Sequence, residues 1–344
     1  MKALKPSLLL AAFCSTVCAQ ISQAEPGSAS SQNMQPASLF ATLPDSCPTP
    51  DAFALAPDGS ISLSCVNYAG GKPGVLLSLS ASGEVSEIGA IPGVQARPMG
   101  LAYGSDGSLY VANNAGPGKG SLLKLTLRDN KVEKVETVAE GMSSPNGLRY
   151  RQGKLYLTQL QLPKANSKSM SSAVYVFDEN DRNINVASDL SSTKLLFSTQ
   201  TQNPERQYGI DGLVFDSAGN LYVGDFGDAT IYKLQLENGA LASHEVFAQL
   251  DPSTGIDGIS IDSQNNLYVA GFLKNQIFKV SQDGQATLIA EYADNNGSKG
   301  EIDQPADLIV WNNKLLVSNF DLMKGKGIVN SGHSKPYTIS VIEL

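Results

Sequence analysis

Oxygen-bearing side chains recur at the start of apolar segments along this chain. In GIDGLVFDSAGNLYVGDF (209–226) and GIDGISIDSQNNLYVAGF (255–272), 11 of 18 aligned letters are identical, and each copy has an aspartate as its third letter. Weaker copies occur elsewhere. Carboxylate and amide oxygens suit a hard cation, and Ca²⁺ tolerates irregular coordination better than Mg²⁺. Aligned on that aspartate, the six copies begin at Asp51, Met99, Asn146, Asp211, Asp257 and Asp307, which we call the heads.

The elements that carry the heads are predicted to be strands. Each copy contains an apolar run, a turn such as PDGS (57–60), and a second apolar run, which together predict a β-hairpin. Third and fourth runs follow, for example TIYKLQL (230–236) and HEVFAQL (244–250). Four strands per copy and a period in the forties predict an all-β, six-bladed β-propeller. A right-handed β-solenoid is the alternative, but its turns are shorter.

The two ends of the repeat region predict how the ring closes. The last copy has only three strands before Leu344, whereas SLFATL (38–43) resembles the fourth strands of other copies. We therefore expect the N-terminal strand to join the C-terminal blade, so that no sheet edge is left open. The predicted propeller domain spans residues 38–344.

A propeller would gather the heads around its axis, because the first strand of every blade lines the central channel. Several carboxylates in one small volume repel each other unless they are protonated or bind a cation. The alternative is that each Asp or Asn caps a turn of its own backbone. The turns at 57–59 and 105–107 should lie on the opposite face and serve only as hairpin turns.

The N-terminal residues have the pattern of a secretory signal peptide. Two lysines precede an apolar stretch, and cleavage after Ala19 or Ala24 would follow small residues. We expect residues 1–24 to be the signal peptide, residues 25–37 to be a flexible segment, and the protein to be secreted or periplasmic. The apolar stretch is too short for a membrane span. Lipidation at Cys14 or Cys18 is the weaker alternative, because bulky residues precede both.

The net charge, the cysteines and the histidines exclude several classes of partner and metal site. A formal net charge of −8 argues against nucleic acid and anionic membranes as partners. Outside the predicted signal peptide only Cys47 and Cys65 remain, and in an oxidising compartment this pair is most simply a disulfide. With 2 histidines in the whole chain, no zinc or iron–sulfur pattern is present.

The repeated phrase, with Asn in SPNGL (144–148) and acids at other blade starts, resembles the senescence marker protein/gluconolactonase/luciferin-regenerating-enzyme family. More distantly it resembles paraoxonases and diisopropyl fluorophosphatase. The resemblance implies a six-bladed propeller with an axial Ca²⁺, or another divalent cation, and hydrolysis of lactones or esters. Two ligand positions differ, because Asp51 stands where the family has Glu and Asp211 where it has Asn. Carried over blade by blade, the implied metal ligands are Asp51, Asn146, Asp211 and Asp257.

A hydrolase of this kind needs a carboxylate that activates water. Asp257 is the first candidate, partly by resemblance, and Asp307 is the second. Asp225 and Asn319, at the ends of second strands, are expected to support the ligands by hydrogen bonds. His333 is a weaker candidate base. The chain has no G-x-S-x-G motif, so a serine hydrolase is not supported.

Long loops after the second strands of blades two, three and six should wall the axial pocket. Their lysines could attract an anionic ligand, namely Lys119, Lys164, Lys168, Lys324 and Lys326. The expected partner is a small lactone or ester. The alternative function is a non-catalytic propeller that binds a small ligand or a protein, with the heads capping turns separately.

Overall fold

The computed structural model describes residues 34–68, 71–163, 169–187 and 189–344. Within these residues the chain forms 25 strands and no helix, and no helix in them is long and apolar enough to cross a membrane. The predicted signal peptide (1–24), most of the predicted 25–37 segment, and both Lys164 and Lys168 lie outside the described residues.

Six sheets with mainly antiparallel pairing form a six-bladed β-propeller, as predicted. The chain begins with β1 (Ser38–Thr42). Blade one is β2 (Pro50–Leu55), β3 (Ile61–Cys65), β4 (Val75–Leu79) and β5 (Val85–Ala90). Blade two is β6 (Pro98–Tyr103), β7 (Leu109–Asn113), β8 (Gly120–Arg128) and β9 (Lys131–Met142). Blade three is β10 (Pro145–Arg151), β11 (Lys154–Gln159), β12 (Met170–Asp178) and β14 (Leu195–Thr201), while the short β13 (Ile184–Asn185) adds to blade two.

The second half of the ring repeats this plan more regularly. Blade four is β15 (Ile210–Phe215), β16 (Leu221–Asp225), β17 (Thr230–Glu237) and β18 (Ala240–Gln249). Blade five is β19 (Ile256–Ile261), β20 (Leu267–Gly271), β21 (Gln276–Val280) and β22 (Ala286–Glu291). Blade six is β23 (Pro305–Trp311), β24 (Lys314–Asn319) and β25 (Thr338–Glu343), with β1 as its fourth strand.

The predicted ring closure is confirmed. Strand β1 pairs antiparallel with β25, with Leu39 opposite Ser340 and Thr42 opposite Thr338. Chain segments from the two ends of the propeller thus share one sheet, and the edge that β25 would expose is covered. Apolar clusters fill the spaces between neighbouring blades. One of them packs Leu77 of blade one with Leu316 of blade six, which ties the closing blade to the first.

Local turn chemistry sets the hairpins. At PDGS, Asp58 accepts hydrogen bonds from the backbone N–H and the hydroxyl of Ser60, and Gly59 has φ +86°, a conformation that favours glycine. Asp106 and Gly107 repeat this arrangement in blade two. These aspartates therefore act in their own turns, as predicted.

The predicted disulfide between Cys47 and Cys65 is present. It links the segment before β2 to the end of β3, and both cysteines are fully buried. A disulfide indicates an oxidising, extracytoplasmic environment.

Candidate functional site

The backbone register decides which residues reach the axis. In each blade, the residue at the start of the first strand pairs with the last residue of the second strand, and the register then shifts at a β-bulge; in blade four, Ile210 pairs with Asp225 and the next pair is Leu213 with Val223. The residue after this first pair is equivalent in all six blades. These residues, which we call the axial ring, are Asp51, Met99, Asn146, Asp211, Asp257 and Ala306.

The alignment of Asp307 as the sixth head was wrong by one residue. Pro305 pairs with Asn319 and Leu308 with Val317, so Ala306 is the member of the axial ring and Asp307 occupies the position of Gly258 in blade five. The letter pattern QPADL invited the error, because its aspartate precedes an apolar run just as the other heads do. The correct alignment is also present in the sequence, because Pro305 and Leu308 match Pro98 and Leu101 of blade two.

Hydroxyl groups from second strands fix the bulged backbone. The hydroxyl of Thr158 accepts from the Gly147 N–H at 2.7 Å and donates to the Asp211 carbonyl of the next blade at 2.8 Å. Ser318 likewise donates to the Asp51 carbonyl at 2.6 Å. These bonds join neighbouring blades at the axis. They also occupy the two backbone carbonyls, so Asp51 and Asp211 offer their side chains to a ligand.

Glycine allows the blades to approach closely beside the axial ring. A Cβ on Gly212 would lie 2.3 Å from the Asp257 carbonyl oxygen, and one on Gly147 would lie 2.5 Å from that of Asp211. Such distances are shorter than any real Cβ contact. The repeated Asp-Gly and Asn-Gly pairs are therefore explained by packing at the axis as well as by turn formation.

Five of the six axial ring residues, all except Ala306, form the floor of a cavity of about 490 Å³. The floor has four oxygen-bearing side chains, those of Asp51, Asn146, Asp211 and Asp257. Asp51 and Asp211 are buried residues, whereas Asp257 is the least buried of the three floor aspartates. The structure thus brings together all four residues predicted as metal ligands.

The three floor carboxyls are electrostatically uncompensated. Burial raises the pKa of Asp51 and Asp257 well above its usual range, and repulsion from the other axial aspartates raises it further. The pKa of Asp211 is raised for the same reasons, with Asp307 and Asp225 as the repelling groups. None of the principal influences on these three carboxyls is a positive charge. A proton or a bound cation would relieve the repulsion.

Asp307 lies deeper, beside a cavity of about 20 Å³ beneath the floor. Its Oδ2 accepts from the Phe53 N–H at 3.0 Å, and its Oδ1 lies 3.9 Å from Nη2 of Arg149. Burial raises the pKa of Asp307, while Arg149 and the backbone donors oppose that shift. Asp307 does not line the large cavity, so it is poorly placed to meet a substrate there.

Asp225 and Asn319 support the blades rather than the floor. Asp225 accepts from the Thr201 hydroxyl at 2.9 Å and from the Asp228 N–H at 2.8 Å. The Asn319 amide donates to the hydroxyls of Thr338 and Ser340 at 2.9 and 2.8 Å. Both side chains therefore fasten the ends of strands, although Asp225 adds negative charge near Asp211.

The lysines and the histidine that the sequence suggested lie in different parts of the structure. Lys324 lines the cavity, whereas Lys326 pairs with Glu205 at 3.0 Å and Lys119 lines a separate surface pocket. His333 binds the Pro48 carbonyl through Nε2 at 2.8 Å and stacks on Tyr337, away from the cavity.

Several wall residues were missed by the sequence reasoning. Some have a visible signal, because a phenylalanine directly follows the second strand in blades four, five and six. The segment between blades three and four, which contains Arg206 and Tyr208, has no sequence feature that predicts its place on the wall. The missed wall residues are Tyr68, Arg206, Tyr208, Phe226, Phe272 and Phe320.

The floor has the donor chemistry of a hard-cation site. Its donors are three carboxylates and one amide, with no nitrogen or sulfur ligand, which is the set that Ca²⁺ prefers. Across the described ranges, however, no three Asp, Glu, His or Cys side chains already converge as a metal cluster. The ring has gaps at Met99 and Ala306, and its carboxylates repel one another. The residue types fit a divalent cation, and binding would require their side chains to move closer together.

Fold and floor together define a class, a six-bladed propeller with an oxygen-lined axial pocket. The chain belongs to the SMP-30/gluconolactonase/LRE-like family, whose model matches residues 98–295. No match was found among curated protein sequences.

Solved structures share the fold at low sequence identity. A gluconolactonase from Xanthomonas campestris is 15% identical with a TM-score of 0.58, over 88% of each chain. Regucalcin from Agrobacterium tumefaciens, described as a calcium-binding protein, is 15% identical with a TM-score of 0.58, over 89% of this chain and 96% of that one. The PQQ-bound aldose sugar dehydrogenase from Streptomyces coelicolor is 14% identical with a TM-score of 0.60, over 90% and 98%. Because these folds serve different chemistries, the likeness establishes the architecture alone.

Proposed function

We propose that this protein is an exported, divalent-cation-dependent hydrolase of lactones or esters. Family membership supports lactonase-type hydrolysis, and the disulfide supports an extracytoplasmic location. The observation that carries the proposal is the floor of the cavity. There, three buried or partly buried carboxyls and an amide face one pocket, and no positive charge is among the principal influences on the pKa of the carboxyls, a costly arrangement unless a cation is part of the working state.

Asp51, Asn146, Asp211 and Asp257 would hold the cation, with Ca²⁺ the best match to their oxygens. When bound, it supplies positive charge that polarises a carbonyl and stabilises the negative charge developing on its oxygen. Met99 and Ala306 supply no oxygen ligand, so the protein offers four side-chain ligands, and water or substrate would complete the six to eight oxygens that Ca²⁺ takes.

Asp257 is the proposed general base, because it is the least buried of the three floor aspartates. It takes a proton from water while the water oxygen forms a bond to the carbonyl carbon. The carbon–oxygen bond of the lactone ring then breaks, and the leaving alkoxide oxygen takes up the proton. The product is a hydroxy acid, so atoms and charge balance.

The testing experiment is a calorimetric Ca²⁺ titration of chelator-treated protein, combined with a pH-stat assay on a panel of lactones and esters. Tight single-site binding, weakened in Asp257→Asn together with at least a hundredfold loss of hydrolysis, would support the proposal. The matched control is Asp58→Asn, which changes a turn aspartate far from the floor. Ca²⁺ binding without hydrolysis of any substrate would favour the non-catalytic propeller. No Ca²⁺ binding at all would remove cation dependence.

A further inference from the structure

Four aromatic rings form a continuous row along the cavity wall, which we call the aromatic arc. Tyr208 and Phe226 have ring centroids 5.8 Å apart, and Phe226 and Phe272 are 5.7 Å apart. Phe320 continues the row at 5.7 Å from Phe272. All four residues line the cavity whose floor is the axial ring. The arc thus spans blades four to six at one level of the pocket.

The propeller repeat fixes the three phenylalanines in place. Each directly follows the second strand of its blade, and each backbone N–H donates to the carbonyl that precedes the first strand. The distances are 2.9 Å from Phe226 to Gly209 and 3.0 Å from Phe272 to Gly255. Because the backbone is anchored on both sides, the arc is a built wall of the site.

The rest of the wall extends the apolar surface. Its further apolar members are Met99, Leu160, Leu273, Met323 and Ile328.

Five wall residues carry polar groups, and hydrogen bonds engage three of them; the five are Tyr68, Asn114, Arg206, Tyr208 and Lys324. Tyr68 donates its hydroxyl to the sulfur of Met99 at 3.7 Å, and the Asn114 amide donates to Ser144 at 3.4 Å. The Arg206 guanidinium donates to the Lys326 carbonyl.

Such a wall discriminates between substrates by their substituents. Each hydroxyl of a sugar lactone that is buried without a partner weakens binding by about 5- to 150-fold. An alkyl or aryl group of similar size loses no hydrogen bond there and gains from the removal of its surface from water. The cavity volume of about 490 Å³ is large enough for such a group beside a lactone ring.

From this geometry we infer that the substrates are lactones or esters bearing an alkyl or aryl group, which packs on the aromatic arc while the carbonyl reaches the floor. This inference rests on the proposed hydrolase function. It excludes polyhydroxylated sugar lactones as the preferred class.

The test uses lactams, which resemble lactones but resist hydrolysis, as calorimetric ligands of the Ca²⁺-loaded protein. A series from methyl- to hexyl-substituted lactams is compared with a polyhydroxylated sugar lactam. Affinity should rise about 3- to 4-fold per methylene in the alkyl series. Phe272→Ser should weaken hexyl-lactam binding about tenfold while changing methyl-lactam binding less than about twofold.

Two further variants test whether a folding defect explains the effect of Phe272→Ser. Tyr208→Ser changes the most exposed ring of the arc and should weaken hexyl-lactam binding about threefold. Phe278→Ser is the matched control, because Phe278 lies on β21 of the same blade and packs in a cluster away from the cavity. An effect of Phe278→Ser equal to that of Phe272→Ser would overturn the inference, as would affinity independent of chain length.

Hydrolysis assays on the matching lactones separate this inference from the function on which it rests. Chain-length-dependent binding without hydrolysis of any lactone would remove the hydrolase proposal and leave the apolar ligand class standing. Faster hydrolysis of sugar lactones than of alkyl lactones would leave the hydrolase standing and overturn the inference.

Discussion

Arg149 crosses the propeller channel to reach Asp307, with Nη2 of the guanidinium 3.9 Å from Oδ1 of the carboxylate. The same guanidinium donates to the Ile259 carbonyl on blade five at 3.4 Å. In the other five blades the equivalent positions carry no charge, being Ala54, Ala102, Val214, Ser260 and Ile309. Arg149 lines both the small cavity beneath the floor and a cavity of about 210 Å³ below it. It therefore closes the channel under the axial ring.

Replacing Arg149 by leucine should destabilise the propeller by about 3 kcal/mol, because Asp307 would stay buried without its partner. Chemical denaturation measures the loss. The double variant Arg149→Leu/Asp307→Asn should recover most of it, since the unpaired charge is then gone. Equal instability of the single and double variants would mean that Arg149 acts through packing and not through its charge.

Ca²⁺ should raise the thermal midpoint of the protein by binding the folded floor. At a concentration 100 times the dissociation constant, the gain is about 2.7 kcal/mol. Asp211→Asn should lose most of this gain. In chelator, however, the same variant should be more stable than the parent protein above pH 8, because burial and repulsion from Asp307 and Asp225 raise the pKa of Asp211 to about 8 and disfavour its charged form. Thermal scans with and without Ca²⁺ measure both expected changes in the thermal midpoint. A lower midpoint of Asp211→Asn than of the parent protein in chelator at that pH would contradict the expected repulsion.

Asp303 should make stability depend on pH. Its side chain is 1% exposed, and neither carboxylate oxygen has a hydrogen-bond partner. Burial, followed by repulsion from Asp321, Asp294 and Glu301, raises its pKa from 3.8 to about 8. The folded state thus holds a proton that the unfolded state releases between these values, so its contribution to stability is full below pH 4 and is lost as the pH rises to about 8. The slope is up to about 1.4 kcal/mol per pH unit.

The measurement is denaturation in chelator at several pH values for the parent protein and Asp303→Asn. Carboxyls that do not interact with Asp303 contribute equally to both proteins, so the difference reports Asp303 and its coupling to Asp321, Asp294 and Glu301. The variant should gain stability relative to the parent as the pH rises. Asp283→Asn is the control, because its lowered pKa places its titration below this window. A constant difference between pH 5 and 8 would show that Asp303 does not titrate there.

Removal of the disulfide should cost about 3 kcal/mol, because it closes a loop with a sequence separation of 18 residues. The double variant Cys47→Ala/Cys65→Ala measures the cost by chemical denaturation. Reductant should lower the stability of the parent protein toward that of the variant and leave the variant unchanged. Equal stability of parent and variant would indicate that the surrounding core holds this segment without the bond.

Much of the site followed from repeated letters. The heads at Asp51, Asn146, Asp211 and Asp257 were found by aligning copies, because a repeat in sequence becomes a ring in space when the chain closes on itself. Their pocket was inferred for the same reason. The roles expected for Asp225 and Asn319 were not found, because hydrogen-bond partners depend on which neighbouring strand end lies within reach.

The sequence alone determined the four-stranded repeat, the closure by β1 and the disulfide. Apolar runs and the turn residues between them act locally, and the number of repeats equals the number of blades. The tertiary structure decided that Ala306 and not Asp307 completes the axial ring, because the pairing of Pro305 with Asn319 and of Leu308 with Val317 sets which residue reaches the axis. It also decided the position of Arg149 in the channel and the aromatic arc on the wall. In the channel and on the wall, side chains far apart in sequence meet only because the closed ring fixes their directions.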